Sequence, residues 1–250
     1  MKALRLYSIL LLLIICFPVS TFSARESDPL EPINRKIYVL NKQIDRFLLK
    51  PAAQVYKKVL PWPVRTGVNN FFENMSEVPT IINDVLQGHF IYALNDSGRL
   101  VINSTIGIAG LIDVASKTGL EKHYNDFGIT LARYGITEAP YLVLPFFGPS
   151  TLRDGMALAV YYRYMTLWPY IEPVRLRNSL AVLDAINTRA QLLDAENIME
   201  EAALDEYTFM RNAYFQLREK QIAAMTAGKN ENPQANSFSE DELEHALDDE

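Results

Sequence analysis

Apolar positions recur at intervals of three and four along most of the chain, a spacing that predicts helices. The first helix is announced by Asp28-Pro29-Leu30-Glu31, a capping acid, a proline and an acid in the first turn. Leu30, Ile33, Ile37, Leu40, Ile44 and Phe47 then line one face, and the helix is expected to end at Pro51. Short helices follow at about 52–59, 64–76 and 79–88, separated by the prolines of Leu60-Pro61-Trp62-Pro63 and Val78-Pro79. A longer one is expected from Ile91 to Ser104, and others over 126–134, 151–164, 172–193 and 205–225. The last sets Phe209, Met210, Ala213, Tyr214 and Leu217 on one side. No stretch alternates with period two for long enough to demand a sheet. No repeat or linker divides the body, so the pattern reads as one all-α domain over residues 24–228.

Three stretches depart from simple amphipathic helix. Ala139 to Pro149, APYLVLPFFGP, is apolar, aromatic and uncharged. Pro140 and Pro145 weaken a strand, since each removes a ladder donor, and they disfavour helix at the residue before them. The segment is expected to be an extended loop or hairpin whose burial partner is core, membrane or ligand, because connections normally run through water. Leu100 to Ala115 carries Gly107 and Gly110, which allow helices to approach closely, and its helix should stop at Gly107. Tyr161-Tyr162-Arg163-Tyr164 and Trp168-Pro169-Tyr170 suit a water–lipid boundary or a half-buried surface equally.

The N-terminus changes the setting. Lys2 and Arg5 precede an apolar run from Leu6 to Val19 and the small residues STFSA, the pattern of a secretory signal peptide over residues 1–23. Leu13-Ile14-Ile15-Cys16 has the leucine of a lipobox, but Ile15 stands where lipid processing wants a small residue, so lipidation at Cys16 is the weaker expectation. With one cysteine in the chain, disulfides and cysteine-based metal sites are excluded. Residues 24–229 hold 22 basic and 22 acidic residues, while 230–250 hold 8 acids and no Lys or Arg. That polar tail, residues 229–250, is expected to be disordered. Without a basic patch, nucleic-acid binding has no electrostatic driving force.

Catalytic and metal motifs are lacking. There is no nucleophile elbow, phosphate-binding glycine loop or His-Glu-x-x-His; His89 and His123 stand singly and His245 lies in the tail. The expectation is a protein that is not an enzyme and needs no cofactor or metal.

An ordered set of motifs carries a family resemblance. DPLEPINRKIY, NFFENMSEVPTIINDVLQG, RLVINSTIGIAGLIDVA, NDFGITLARYGI, APYLVLPFFGPSTLRD and TRAQLLD, between Asp28 and Asp194, together resemble the MlaA (VacJ) family of outer-membrane lipid-asymmetry proteins. The resemblance implies a single ring-like helical domain in the periplasmic side of the outer membrane, with a central amphipathic pore beside an apolar hairpin. It implies removal of mislocalised phospholipid from the outer leaflet, delivery to a periplasmic lipid carrier, and association with a trimeric porin. On that reading Tyr141, Leu142, Leu144, Phe146 and Phe147 form the gate and lipid-facing surface. Asn103, Ser104, Thr105 and Arg133 are polar pore candidates, and Trp62, Trp168 and Tyr170 are interface anchors. Leu40-Asn41-Lys42-Gln43 is less aromatic than expected where the first helix should meet the hairpin. The rival readings are a soluble periplasmic lipid-binding or scaffold protein and, more remotely, an exported lipid hydrolase.

Overall fold

The computed structural model describes residues 28–136, 139–194, 196 and 205–226. The expectations for the signal peptide, Cys16, His245 and the acidic tail lie outside these residues. Eight α-helices and one β-hairpin make up the described architecture: α1 (Glu31–Ile44), α2 (Lys50–Val59), α3 (Trp62–Leu86), α4 (Phe90–Thr105), α5 (Phe127–Arg133), β1 (Tyr141–Leu144), β2 (Gly148–Thr151), α6 (Leu152–Val160), α7 (Val174–Gln191) and α8 (Glu206–Thr226). None of the described helices is long and apolar enough to cross a membrane.

Two helix boundaries differ from the sequence reading, both at prolines. Pro51 does not end the first helical segment. A π-helical turn over Asp45–Leu49 widens the backbone, Lys50 N bonds Asp45 O, and α2 continues with Pro51 in its first turn, where its missing N–H costs little. Pro79 does not divide α3 either; it is fully buried inside one 25-residue helix. The hydroxyls of Ser76 and Thr80 donate to Phe72 O and Ser76 O at 3.0 Å, and Asn83 Nδ2 donates to Pro79 O at 2.8 Å. Packing against α4 holds the two halves in line against the ~3 kcal/mol a proline costs there.

Residues 139–151 contain the one sheet among the described residues. β1 and β2 pair antiparallel with Tyr141 opposite Thr151 and Leu144 opposite Gly148. Pro140 and Pro145, which argued against a strand, sit where they do no harm, as does Pro149. Pro140 precedes β1, Pro145 is in the turn, and Pro149 faces Val143, whose N–H points away from β2 to Asn34 Oδ1 at 2.9 Å. The expected stop near Gly107 is met by a left-handed turn at Ile108, Ala109 and Gly110. A Cβ at Gly110 would stand 2.7 Å from that of Asn74, so glycine permits α3 and this turn to touch.

The buried set is rich in polar groups. Among the described residues, buried polar and charged side chains outnumber buried hydrophobic ones. Glu77 and Arg99 pair at 2.9 Å with side chains only 3% exposed, and Arg99 also reaches Asp113. Meanwhile Phe47, Trp62, Phe90, Ile91, Leu94 and Phe146 are about seven-tenths exposed. Scattered apolar residues on a surface need no explanation, but so many beside an ionic interior do.

Candidate functional site

The hairpin is fixed to α1 by two asparagines. Asn34, wholly buried, donates to Tyr141 O at 3.0 Å and accepts from Val143 N. Asn41, two turns on, donates to Leu144 O and accepts from Phe146 N, each at 2.9 Å. Behind the strand, the Tyr141 ring packs among Tyr207, Tyr214 and Phe215 at centroid separations of 6.0, 6.0 and 5.7 Å. Burial there pushes its phenol up to about 12. The turn projects the other way. Phe146, at φ 68°, and Phe147 are exposed, with Phe147 resting 5.8 Å from the ring of Tyr162.

Under this tip lies a cavity of about 370 Å³, bounded by the hairpin, the start of α5, α6 with the π-helical turn Tyr161–Met165, and α8. Its lining has two characters. Leu144, Phe147, Leu158 and Leu217 supply apolar wall, and Tyr124, Tyr161 and Tyr162 add rings with polar tips. Asp126, Asp154, Arg218 and Gln221 add charged and polar groups to the same lining.

The charged groups form a closed cluster. Asp126 caps α5 by accepting from Ile129 N at 2.9 Å, and Thr151 caps α6 by accepting from Asp154 N at 3.2 Å. Arg218 of α8 bonds Asp126 through both terminal nitrogens, at 2.6 and 2.7 Å, and Asp154 at 2.9 and 3.0 Å. Arg153 and Tyr214 also donate to Asp154, at 2.8 and 2.5 Å. Burial pushes the Asp154 carboxyl up, but Arg153 and Arg218 outweigh it and hold it well below the carboxylate range. Burial likewise opposes the Arg218 charge, and the two aspartates more than restore it. A Cβ on Gly128 would meet Asp154 Oδ1 at 2.2 Å and Arg218 at 2.4 Å, so only glycine lets α5 come this close.

The sequence-selected residues fall in different places. Leu144 and Phe147 line the cavity, Leu142 is half-buried, Phe146 is exposed, and Tyr141 is core rather than gate. The polar candidates do not line it. Asn103 is buried and ties down the turn after α4, bonding Asp113 and the N–H groups of Val114 and Ala115. Ser104 accepts from Asn74 and Thr105 bonds Val101 O. Arg133 donates to Met225 O beside a separate cavity. Trp62 and Tyr170 are exposed, whereas Trp168 is half-buried and stacked on Phe72. Asn34, Asp126, Asp154 and Arg218 are not among the residues the sequence marks, and Asn41 is marked there only as a break in an aromatic run. The two asparagines gave a sequence signal, as amides seven apart on an amphipathic helix; the cluster gave none, since its members are up to 92 residues apart.

No group of three or more histidine, cysteine or acidic residues suited to a metal occurs among the described residues. The chain matches the family model described as MlaA lipoprotein over residues 26–221. It is 34% identical over 239 residues to the Shigella flexneri intermembrane phospholipid transport system lipoprotein MlaA, covering 92% of each chain. The Escherichia coli K12 protein of the same name is 32% identical over 238 residues with the same coverage. A solved structure described as the structural basis for maintenance of bacterial outer membrane lipid asymmetry is similar with a TM-score of 0.68 at 33% identity. It covers 79% of this chain and 100% of the other. Fold, motif order and relatives agree: the chain belongs to the MlaA lipoprotein family.

Proposed function

We propose that the protein serves intermembrane phospholipid transport that maintains outer-membrane lipid asymmetry, by withdrawing phospholipid misplaced in the outer leaflet. The names of its relatives and of the similar structure support the process. The mixed apolar and charged lining of the cavity under the hairpin is the observation that carries the mechanism. A phospholipid in transit needs a wet path for its headgroup and an apolar path for its chains, since leaving either without a partner is costly. Asp126, Arg218 and the tyrosine hydroxyls face the first need, and Leu144, Phe147, Leu158 and Leu217 the second.

The apolar exterior supports a seat in the periplasmic side of the outer membrane, where lipid covers Phe47, Trp62 and Phe146 and the ionic interior stays shielded. Trp62 and Tyr170 then stand at the water–lipid boundary. No covalent step is needed. A phospholipid among lipids of another kind packs poorly, so its removal runs downhill without a nucleotide at this protein. In this reading the released lipid passes to a soluble periplasmic carrier, and a trimeric porin holds the protein in place.

Phe147→Asp puts a charge on the apolar wall at an exposed position. Phospholipid retrieval from the outer leaflet should fall to background while helical circular dichroism stays at the wild-type value. Unchanged retrieval would remove the hairpin cavity from the path. Recovery of the mature protein in the soluble periplasmic fraction would instead favour the lipid-binding carrier reading.

A further inference from the structure

Away from the hairpin, α2, the first two turns of α3 and α7 border two adjoining depressions. One is a groove of about 500 Å³ walled by Pro51, Val55, Val59 and Ile186. The other is a smaller pocket of about 230 Å³ holding Arg65, Asn69 and Gln191 beside Trp62. Tyr56 belongs to both; its hydroxyl donates to Asn187 Oδ1 at 3.0 Å on the polar side. Val55 and Val59, one turn apart, are 61% and 68% exposed, while the opposite face of α2 packs Ala53 and Tyr56 against Ala190 of α7. The groove is therefore left over after α2 has satisfied its own packing.

Arg65 is the chemical clue. It is half-buried, and its Nε donates to Leu60 O at 3.1 Å. Among the described residues no carboxylate forms an ion pair with it. A partly desolvated guanidinium without a counter-charge favours an anion, and its planar fork fits phosphate oxygens. An apolar groove leading to an unpaired arginine next to an exposed tryptophan has the order of an amphiphile at a membrane boundary: chain, then phosphate, then ring.

We infer that this groove and pocket form a second lipid site, where a glycerophospholipid lays an acyl chain along α2 and sets its phosphate on Arg65. One cation and one groove match a ligand with one phosphate better than lipid A, which carries two phosphates and many chains. The site rests on the membrane setting proposed above but not on the hairpin cavity.

The test uses the full-length mature protein reconstituted in phosphatidylethanolamine–phosphatidylglycerol vesicles, with a photo-crosslinker introduced as Val55→p-benzoylphenylalanine. Crosslinked phospholipid is measured by mass spectrometry. Arg65→Glu should reduce that adduct about tenfold, the loss of one charge-assisted hydrogen bond, and Arg65→Lys should restore most of it. Leu158→p-benzoylphenylalanine, in the hairpin cavity, should crosslink equally with and without Arg65→Glu. An unchanged Val55 adduct in Arg65→Glu, or lipid A as the preferred adduct when it is included in the vesicles, overturns the site. A wild-type protein that fails to float with vesicles overturns the membrane setting itself, a separate result.

Discussion

Asn34 and Asn41 stand seven residues apart on α1, and the match of helix to strand rise explains why both reach β1. Seven helical residues advance about 10.5 Å and three strand residues about 10 Å, so the amide pairs at Tyr141–Val143 and Leu144–Phe146 are met in register. Each asparagine supplies the donor and the acceptor that a neighbouring strand would have supplied. Asn41→Leu keeps the size and removes both bonds at the tip. The expected loss is about 1 kcal/mol, because the freed groups can meet solvent, with faster amide exchange at Phe146 and unchanged helical circular dichroism. The corresponding change at buried Asn34 should cost more, since Tyr141 O and Val143 N would be stranded. In the sequence, Asn41 read as a departure from an aromatic run; the structure makes it the attachment itself.

At the level of elements, the helices were legible because their apolar spacing is local, and the expected 126–134 and 205–225 segments match α5 and α8 within a residue. Prolines were misread where distant packing overrides a local preference: Pro79 is held by the α3–α4 contact, and Pro51 is admitted by the π-helical turn. The hairpin prolines could be placed only once the pairing register was known. The cavity cluster lay beyond sequence reading for the same reason, since Asp126, Asp154 and Arg218 meet only after α5, α6 and α8 pack. Gly128 is what that packing requires. Gly128→Ala, harmless to a lone helix, should push α5 off Asp154 and Arg218 and cost about 3–5 kcal/mol, as for breaking a buried ion pair. Thermal unfolding in detergent measures it.

For the whole molecule, an ionic interior makes stability follow pH in two opposing ways. Asp154 is held below the carboxylate range in the fold, so it stabilises above the unfolded value of about 3.9 and that contribution is lost as pH falls. Asp84 is the reverse. Burial and the adjacent Asp96 raise it despite Asn125 and His123, so its contribution is full below about 3.9 and is lost as pH climbs through the raised value. Among the described residues its Oδ2 and that of Asp96 receive no hydrogen bond from a donor other than a carboxyl proton. Asp84→Asn should raise the melting temperature by about 4 °C near pH 8 and leave it nearly unchanged near pH 4. A uniform shift at both pH values would remove ionisation as the cause. The two asparagine grips carry a mechanical consequence as well. α1 and β1 cannot slide past each other without releasing four hydrogen bonds together, so an enlargement of the cavity must swing helix and strand as one panel or come from the other walls, α5, α6 and α8.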